Sequence, residues 1–170
     1  MKVIHLLRHA KSSWDDPLLA DHERPLSPRG RRAAARIAEH LEGEGIQPAL
    51  ILCSSSRRTR QTLELVTVAL PNVPVRVENG LYGAGEGSLL RRVRRLPDPA
   101  DSALLIGHNP GLQDLALTLA GGGDADALAR LRAKMPTAAL ATLAMPVTRW
   151  RALRPAGAEL VAFVVPRELG

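Results

Sequence analysis

The stretch VIHLLRHAKSS, residues 3–13, decides the fold that we expect for the rest of the chain. Val3–Leu7 is an apolar run broken only by His5, and such runs are typical of strands buried on both faces of a parallel sheet. Arg8 and His9 end the run and open a polar, basic loop. Residues that follow a buried parallel strand project from the carboxyl edge of the sheet, where open α/β sheets bind ligands. The stretch therefore predicts an α/β fold with a cationic site at that edge.

Two later segments repeat this order of an apolar strand, a polar turn and a helix. Ala49–Cys53 leads through three serines into a helical pattern that continues to Leu70, and Ala103–Ile106 leads through Gly107–Gly111 into leucines at helical spacing. Right-handed crossovers place the carboxyl ends of successive parallel strands on one edge, so side chains from all three junctions are predicted to meet. These side chains are Arg8, His9, Arg58 and His108.

The remaining pattern predicts a three-layer α/β/α domain with a mostly parallel central sheet, spanning residues 1–170 as one domain. Ser27 and Pro28 suit the cap and first turn of an amphipathic helix that ends near Gly43. Val75–Glu78 alternates like a strand. Further expectations are a helix Leu89–Leu96 capped by Ser88, a helix end at Gly121–Gly123, a helix from Asp124 to about Lys134, and two or three strands, some antiparallel, within Thr137–Met145, Trp150–Leu153 and Glu159–Val165.

Composition and charge limit the classes of function. Aromatic residues make up only 2% of the chain, so the core is expected to be aliphatic and few rings are available for stacking on bases. Lys and Arg outnumber Asp and Glu by 23 to 17, which favours anionic partners. The densest basic cluster, Arg91–Arg95, is better explained as a solvated helix surface, and we expect no nucleic-acid partner.

Cysteine content and hydropathy predict the cellular compartment of the protein. Cys53 is the only cysteine, which rules out an intramolecular disulfide and a thiolate zinc cluster, and its apolar run predicts that it is buried. The first strand is interrupted by His5 and Arg8, unlike the apolar region of a signal peptide. No segment approaches the length of a membrane span. We therefore expect a cytoplasmic protein without a membrane partner.

The chemistry of the predicted edge suits phosphate. Guanidinium groups present paired, planar donors to phosphate oxygens and stabilise the charge that spreads over those oxygens during transfer. A neutral imidazole is a competent nucleophile near neutral pH, and nearby cations favour the neutral form. Two arginines and two histidines at one edge therefore predict a phosphate site.

The segments that carry these side chains resemble the histidine phosphatase superfamily, most closely its SixA-type phosphohistidine phosphatase branch. The similar segments are Leu7–Ser12, Arg24–Gly30, Ser54 with Arg58 and Thr62, and Gly107–Gly111. The resemblance implies a phosphoglycerate mutase-like fold and a phosphatase with a covalent phosphohistidine intermediate. It assigns His9 as the nucleophile, Arg8 and Arg58 as phosphate ligands and His108 as the second histidine. It implies no metal and no organic cofactor.

The proton donor to the leaving group has no clear place in this pattern. Larger phosphomonoesterases of the superfamily use an acidic residue, but Asp21, Glu78 and Glu86 are better explained here as loop or strand-end carboxylates. Imidazole leaving from a phosphoramidate needs less acid assistance than an alkoxide, so phosphohistidine on a phosphotransfer protein is the favoured substrate. The alternatives are a small-molecule phosphomonoesterase and a non-catalytic module that binds phosphate or a phosphoprotein.

Further residues are predicted around the mouth of the site. Those expected to bind substrate there are Lys11, Ser12, Arg24 and Thr137. The other histidines are expected to be bystanders: His5 lies within the first strand, His40 lies on a helix, and His22 could reach a ligand only if its long loop folds inward.

Overall fold

A seven-stranded sheet forms the centre of the computed structural model, which describes residues 1–169. Its strands are β1 (Lys2–Arg8), β2 (Leu50–Ser54), β3 (Val75–Glu78), β4 (Ser102–Gly107), β5 (Ala120–Gly123), β6 (Leu140–Met145) and β7 (Ala158–Val164). They lie in the order β3-β2-β4-β1-β6-β7-β5. Only β6 runs antiparallel to its neighbours, and the other neighbouring pairs are parallel. The prediction of a mostly parallel sheet is confirmed.

Helices cover both faces of the sheet. They are α1 (Pro28–Gly43), α2 (Arg57–Val66), α3 (Glu86–Arg94), α4 (Gly111–Leu119) and α5 (Ala125–Ala133). Successive strand residues point to opposite faces, so Leu6 of β1 joins the core beneath α3, α4 and α5 while Leu7 joins the core beneath α1 and α2. The three-layer α/β/α architecture is confirmed.

Helix α1 begins and ends where the sequence predicts. The Ser27 side chain accepts a hydrogen bond from the backbone N–H of Gly30, and Pro28 occupies the first turn. A Cβ atom at Gly30 would lie 2.1 Å from the carbonyl oxygen of Lys11, so only glycine permits this approach. The start of α1 therefore packs directly on the loop that follows β1.

Two boundaries predicted for the first half of the chain differ in the structure. Helix α2 ends at Val66 and continues as a 3-10 turn over Thr67–Ala69, short of Leu70. Helix α3 starts at Glu86, and Gly85 rather than Ser88 occupies its cap position. The backbone N–H of Leu89 already bonds to the Gly85 carbonyl, so the helix is established before Ser88 could cap it.

Two predictions for the second half are wrong because tertiary pairing overrides local pattern. Gly121–Gly123 does not close a helix but belongs to the edge strand β5, which pairs with β7. A Cβ atom at Gly121 would lie 2.1 Å from the carbonyl oxygen of Ala156, which explains the need for glycine at this edge. Trp150–Ala152 is a 3-10 turn rather than a strand, and buried Trp150 donates its indole N–H to the Ala100 carbonyl.

Burial and hydropathy follow the sequence elsewhere. Cys53 is fully buried, and Asp124 caps α5 as predicted. Within residues 1–169, every helix is too short or too polar to cross a bilayer.

Candidate active site

Strand register brings the two predicted histidines together. β1 and β4 are parallel neighbours, and Arg8 lies opposite Gly107 in their register. His9 and His108 directly follow the two strands, and their ring centroids are 5.3 Å apart. β2 lies on the other side of β4, and Arg58 sits in the first turn of the helix that follows β2. Three junctions distant in sequence therefore meet at one sheet edge.

The hydrogen bonds of His9 define which ring nitrogen can react. Nδ1 lies 2.7 Å from the carbonyl oxygen of Ala10, and a carbonyl only accepts, so Nδ1 carries the proton. Nε2 is then the unprotonated nitrogen, and it accepts a 3.4 Å hydrogen bond from Nε of Arg58. Burial is the main reason that the His9 pKa is lowered to about 3; the bond to Ala10 acts in the opposite direction, and the charge of Arg58 adds to the lowering. His9 is therefore a neutral imidazole whose unprotonated Nε2 lies beside Arg58.

Arg8 presents a buried donor that the protein leaves unused. One terminal nitrogen donates to the carbonyl of Met135 at 3.0 Å, but Nε is buried and has no acceptor within residues 1–169. Burial, and then the charge of Arg58, lowers the Arg8 pKa. Buried polar groups in proteins nearly always have a hydrogen-bond partner. The unpaired Nε of Arg8, close to a second guanidinium, that of Arg58, therefore suits the binding of an anion.

His108 is the second imidazole of the site. Its Nε2 lies 2.7 Å from the hydroxyl oxygen of Ser54 at the end of β2. Burial, and then the charge of Arg58, lowers the His108 pKa to about 4. Tyr82 meets the His108 ring edge-on at 5.4 Å. A Cβ atom at Gly111 would lie 2.2 Å from the Ala84 carbonyl, so glycine lets the loop that carries Tyr82 pack on the start of α4.

Asp21 lies on a loop, as expected, and it contacts two arginines of the predicted site. It begins a 3-10 turn in the β1–α1 connection, and its carboxylate accepts hydrogen bonds from Arg58 at 3.0 Å and from Arg24 at 3.1 Å. The Tyr82 hydroxyl donates to the same carboxylate. The bond from Tyr82, followed by those from the two guanidinium groups, holds the Asp21 pKa far below its usual range. Asp21 is therefore ionised, and its hydrogen bonds hold Arg24 and Arg58 in place.

The other two carboxylates lie away from the histidines. Glu78 accepts two hydrogen bonds from Arg92, at 2.7 and 2.8 Å, at the end of β3. Glu86 begins α3 and accepts a hydrogen bond from Thr118. Neither lines the cavity that holds the two histidines, and their exclusion as the proton donor stays a prediction.

A cavity of about 740 Å³ surrounds the two histidines, and we call it the histidine cavity. All eight residues predicted for the site line it: Arg8, His9, Lys11, Ser12, Arg24, Arg58, His108 and Thr137. Residues that sequence reasoning did not place there are Trp14, Asp21, Tyr82, Gly83, Asn109, Lys134 and Pro136. The roles of the eight predicted residues stay predictions.

The mouth of the histidine cavity combines fixed and free groups. Arg24 is buried, donates to the Ser12 hydroxyl at 2.6 Å and stacks at 3.6 Å over the Trp14 ring. Lys11 is exposed and Thr137 is half-buried. The backbone N–H of Ala138 bonds to the carbonyls of Arg8 and His9, which holds the loop before β6 against the site.

The remaining histidines differ in their distance from the site. His5 bonds to Thr142 inside the sheet, and His40 lies half-buried on α1. The long β1–α1 loop does fold inward, so His22 reaches the Ser55 hydroxyl at 2.9 Å and packs edge-on against Tyr82. Across the described part of the chain, no three His, Cys, Asp or Glu side chains are grouped as metal ligands.

The lowered histidine pKa values predict an unusual pH dependence. Because His9 has a pKa of about 3 and His108 of about 4, both stay neutral as the pH falls through the ordinary histidine range. We expect kcat/KM for a phosphohistidine peptide not to fall between about pH 7 and about pH 5 and to decline only near about pH 4. Initial rates, with non-enzymatic hydrolysis subtracted, measure this profile. An acid limb centred near the ordinary histidine pKa would contradict it.

A folding control belongs to the same experiment. In the unfolded chain His5, His9 and His108 take up protons near pH 6.5, but in the folded chain they do so only near pH 3 to 4. The unfolded state binds more protons in this window, so the free energy of unfolding decreases as the pH falls through it. Circular dichroism at each pH separates loss of fold from protonation of the site.

The fold and the site together define an α/β protein with two imidazoles and two guanidinium groups at the carboxyl edge of its sheet. Such a set of side chains suits the binding of phosphoryl groups. The family model described as histidine phosphatase superfamily (branch 1) matches residues 4–95. The chain belongs to the histidine phosphatase superfamily, which confirms the resemblance found in the sequence and supports a phosphatase.

Individual relatives agree with this assignment. The uncharacterized protein Rv1276c of Mycobacterium tuberculosis is 37% identical over 95% of this chain and 100% of its own length. A candidate phosphohistidine phosphatase SixA from Nakamurella multipartitia has a TM-score of 0.85 and 30% identity, over 97% of this chain and 96% of its own. A second SixA candidate, from Agrobacterium tumefaciens, has a TM-score of 0.83 and 28% identity, over 97% of this chain and 98% of its own. The phosphoglycerate mutase-like fold is thereby confirmed.

Proposed function

We propose that this protein is a phosphohistidine phosphatase that works through a covalent phosphohistidine on His9, without a metal ion. The observation that carries the proposal is the tautomer of His9. Its Nδ1–H is held by the Ala10 carbonyl, which leaves the Nε2 lone pair beside Arg58 in the histidine cavity. An oriented, neutral imidazole next to a fixed guanidinium is the arrangement that nucleophilic attack on a phosphoryl group requires.

Two chemical steps follow from this arrangement. In the first, Nε2 of His9 forms a bond to phosphorus while the bond from phosphorus to the substrate imidazole breaks, and the departing imidazole keeps the electron pair. Arg8 and Arg58 stabilise the charge on the equatorial oxygens, and the unused Nε of Arg8 supplies one donor. In the second, water attacks phosphorus, the bond to Nε2 breaks, and inorganic phosphate leaves as His9 becomes neutral again.

The acid chemistry of the histidine cavity favours phosphohistidine over phosphomonoesters. Asp21 is the only carboxylic side chain lining the cavity within residues 1–169, and its lowered pKa keeps it ionised. His108, with a pKa of about 4, is neutral near pH 7 and is a weak proton donor. An alkoxide leaving group needs a proton from the enzyme, whereas a protonated imidazole leaves without one. The substrate is therefore a phosphorylated histidine of a phosphotransfer or phosphorelay protein.

A comparison of substrates tests this proposal. We expect kcat/KM for a phosphohistidine protein to exceed that for sugar and nucleotide phosphates by about 100-fold or more, since general acid catalysis contributes that much to alkoxide departure. The rates are measured as phosphate released from each substrate at equal enzyme concentration. A preference for a sugar or nucleotide phosphate would identify a small-molecule phosphomonoesterase instead. Saturable phosphate binding with no hydrolysis of any substrate would identify a binding module.

A further inference from the structure

A second cavity, of about 600 Å³, lies between α1, α5 and the segment Pro166–Glu168, and we call it the basic groove. Seven basic side chains and one carboxylate, that of Glu168, line it. Arg130 already bonds to Glu168 at 3.3 Å. The other six basic residues are Lys11, Arg29, Arg32, Arg36, Lys134 and Arg167. All six are exposed, and none has an ion pair or side-chain hydrogen bond in the described part of the chain.

The positive charge of these six side chains is not neutralised by any contact within the described residues. Arg29, Arg32 and Arg36 are spaced by three and four residues, so they share one face of α1. Like charges at this spacing repel one another and oppose helix formation. An anionic partner bound along this face would relieve that repulsion.

The basic groove is continuous with the histidine cavity. Lys11, Lys134, Pro136 and Thr137 line both cavities. A chain bound in the groove consequently extends to the mouth of the site that holds His9. Its occupant and the phosphorylated substrate can be one molecule.

The wall of the basic groove indicates what kind of anion it accepts. Its non-polar lining includes Ala33, Ala133 and Phe163, and Phe163 is only 5% exposed. A single-stranded nucleic acid binds such surfaces by stacking bases on exposed aromatic rings, which this groove does not offer. An amphipathic polypeptide with acidic flanks and a narrow apolar stripe matches both the cations and the apolar wall.

We propose that the basic groove docks an acidic, amphipathic segment of the phosphoprotein substrate, and thereby selects protein substrates for the histidine cavity. This inference deepens the proposed function and rests on it for the identity of the substrate. Binding in the basic groove adds to the affinity for the substrate at a distance from the reacting phosphorus atom. It therefore acts on protein substrates and leaves small phosphoramidates unaffected.

Binding of an unphosphorylated peptide tests docking independently of catalysis. The probe is a fluorescent helix-forming peptide with glutamates beside an apolar stripe, and the same peptide with glutamines is its control. We expect Arg29→Gln/Arg32→Gln/Arg36→Gln to weaken binding of the glutamate peptide by about tenfold at low salt, measured by fluorescence anisotropy. The matched control variant is Arg31→Gln/Arg76→Gln/Arg95→Gln, which removes the same charge from exposed positions outside the groove.

The control variant is expected to bind the glutamate peptide within about twofold of the wild type. Equal loss in both triple variants, or equal affinity of the wild type for the two peptides, would overturn docking in the groove. Tighter binding of single-stranded RNA or anionic vesicles than of the peptide, lost in the groove variant, would overturn it in favour of those partners.

A turnover assay separates this inference from the proposed function. With phosphohistidine in each peptide, the groove variant should lose its preference for the glutamate peptide through KM, while its kcat and its rate on phosphoramidate stay unchanged. If no phosphohistidine substrate is hydrolysed, the proposed function fails and the binding result still decides docking. If both peptides are hydrolysed alike by the wild type, docking fails and the proposed function stands.

Discussion

The His9→Ala variant is expected to lose phosphohistidine turnover by roughly 10⁴-fold or more, because the proposed covalent intermediate forms on this side chain. His9 is the residue whose unprotonated Nε2 faces Arg58, while the Ala10 carbonyl holds the opposite ring nitrogen. His108, 5.3 Å away between ring centroids, has its Nε2 in a hydrogen bond with the Ser54 hydroxyl. The measurement is phosphate release from a phosphohistidine protein under single-turnover conditions.

Two variants make this result interpretable. His9→Asn retains an amide donor near the position of Nδ1 but has no nucleophilic nitrogen, so it should fold normally and remain inactive. His40→Ala, a substitution on α1 outside the histidine cavity, should keep activity close to that of the wild type. Turnover in either His9 variant within about tenfold of the wild-type rate would refute the role of His9.

The Arg58→Ala variant is expected to lose roughly 10² to 10³ in kcat/KM, the range seen when a single donor to the transition state is removed. Arg58 bonds to His9 through Nε and to Asp21 through both terminal nitrogens, at 2.7 Å to the carbonyl and 3.0 Å to the carboxylate. In the proposed mechanism its loss removes a donor to phosphate, and it also removes a charge that helps to keep His9 neutral. The acid limb of the pH profile should accordingly shift upward.

Matched substitutions separate geometry from charge at this position. Arg58→Lys retains a point charge but not the planar set of donors, so we expect only part of the activity to return. Arg57→Ala removes the neighbouring arginine, which donates to the Glu23 carbonyl at 3.3 Å and lies outside the histidine cavity. Arg57→Ala should therefore be nearly as active as the wild type. A similar loss in the Arg57 and Arg58 variants would show that the arginines act through stability alone.

The sequence predicts the four central side chains because each lies at the end of a strand. Arg8, His9 and His108 follow apolar runs, and Arg58 follows a third run by one helical turn. Parallel strands with right-handed connections can place such residues only at one edge. The structure adds the strand order, which makes β1 and β4 neighbours and sets the distance between the two imidazoles.

Residues on connections could not be placed in this way. Asp21 and Tyr82 lie on loops, where hydrophobic periodicity carries no information about direction. Their contact depends on Gly111 admitting the Tyr82 loop and on Arg58 attracting Asp21, and these tertiary effects have no local signal. One feature of the sequence could have indicated Asp21: it is a carboxylate in the long polar connection that follows the predicted basic site.

The basic groove shows a similar limit. Arg32 and Arg36 fall outside the apolar face of α1, and a solvated surface explains such positions in most helices. Only the structure shows that Lys134 and Arg167, from the far end of the chain, lie on the same groove as this helix face. Sequence periodicity separates exposed from buried positions, but it cannot show which exposed faces adjoin one another.

Detection of the phosphorylated intermediate tests the central claim most directly. The wild-type enzyme is mixed with a protein carrying radiolabelled phosphohistidine, quenched in alkali within one turnover, separated from its substrate and digested for peptide mapping. We expect acid-labile, alkali-stable label on the peptide that contains His9, attached at Nε2, appearing and decaying at rates consistent with kcat. Label on any other residue, or release of phosphate at the full rate with no label on the enzyme, would contradict the account.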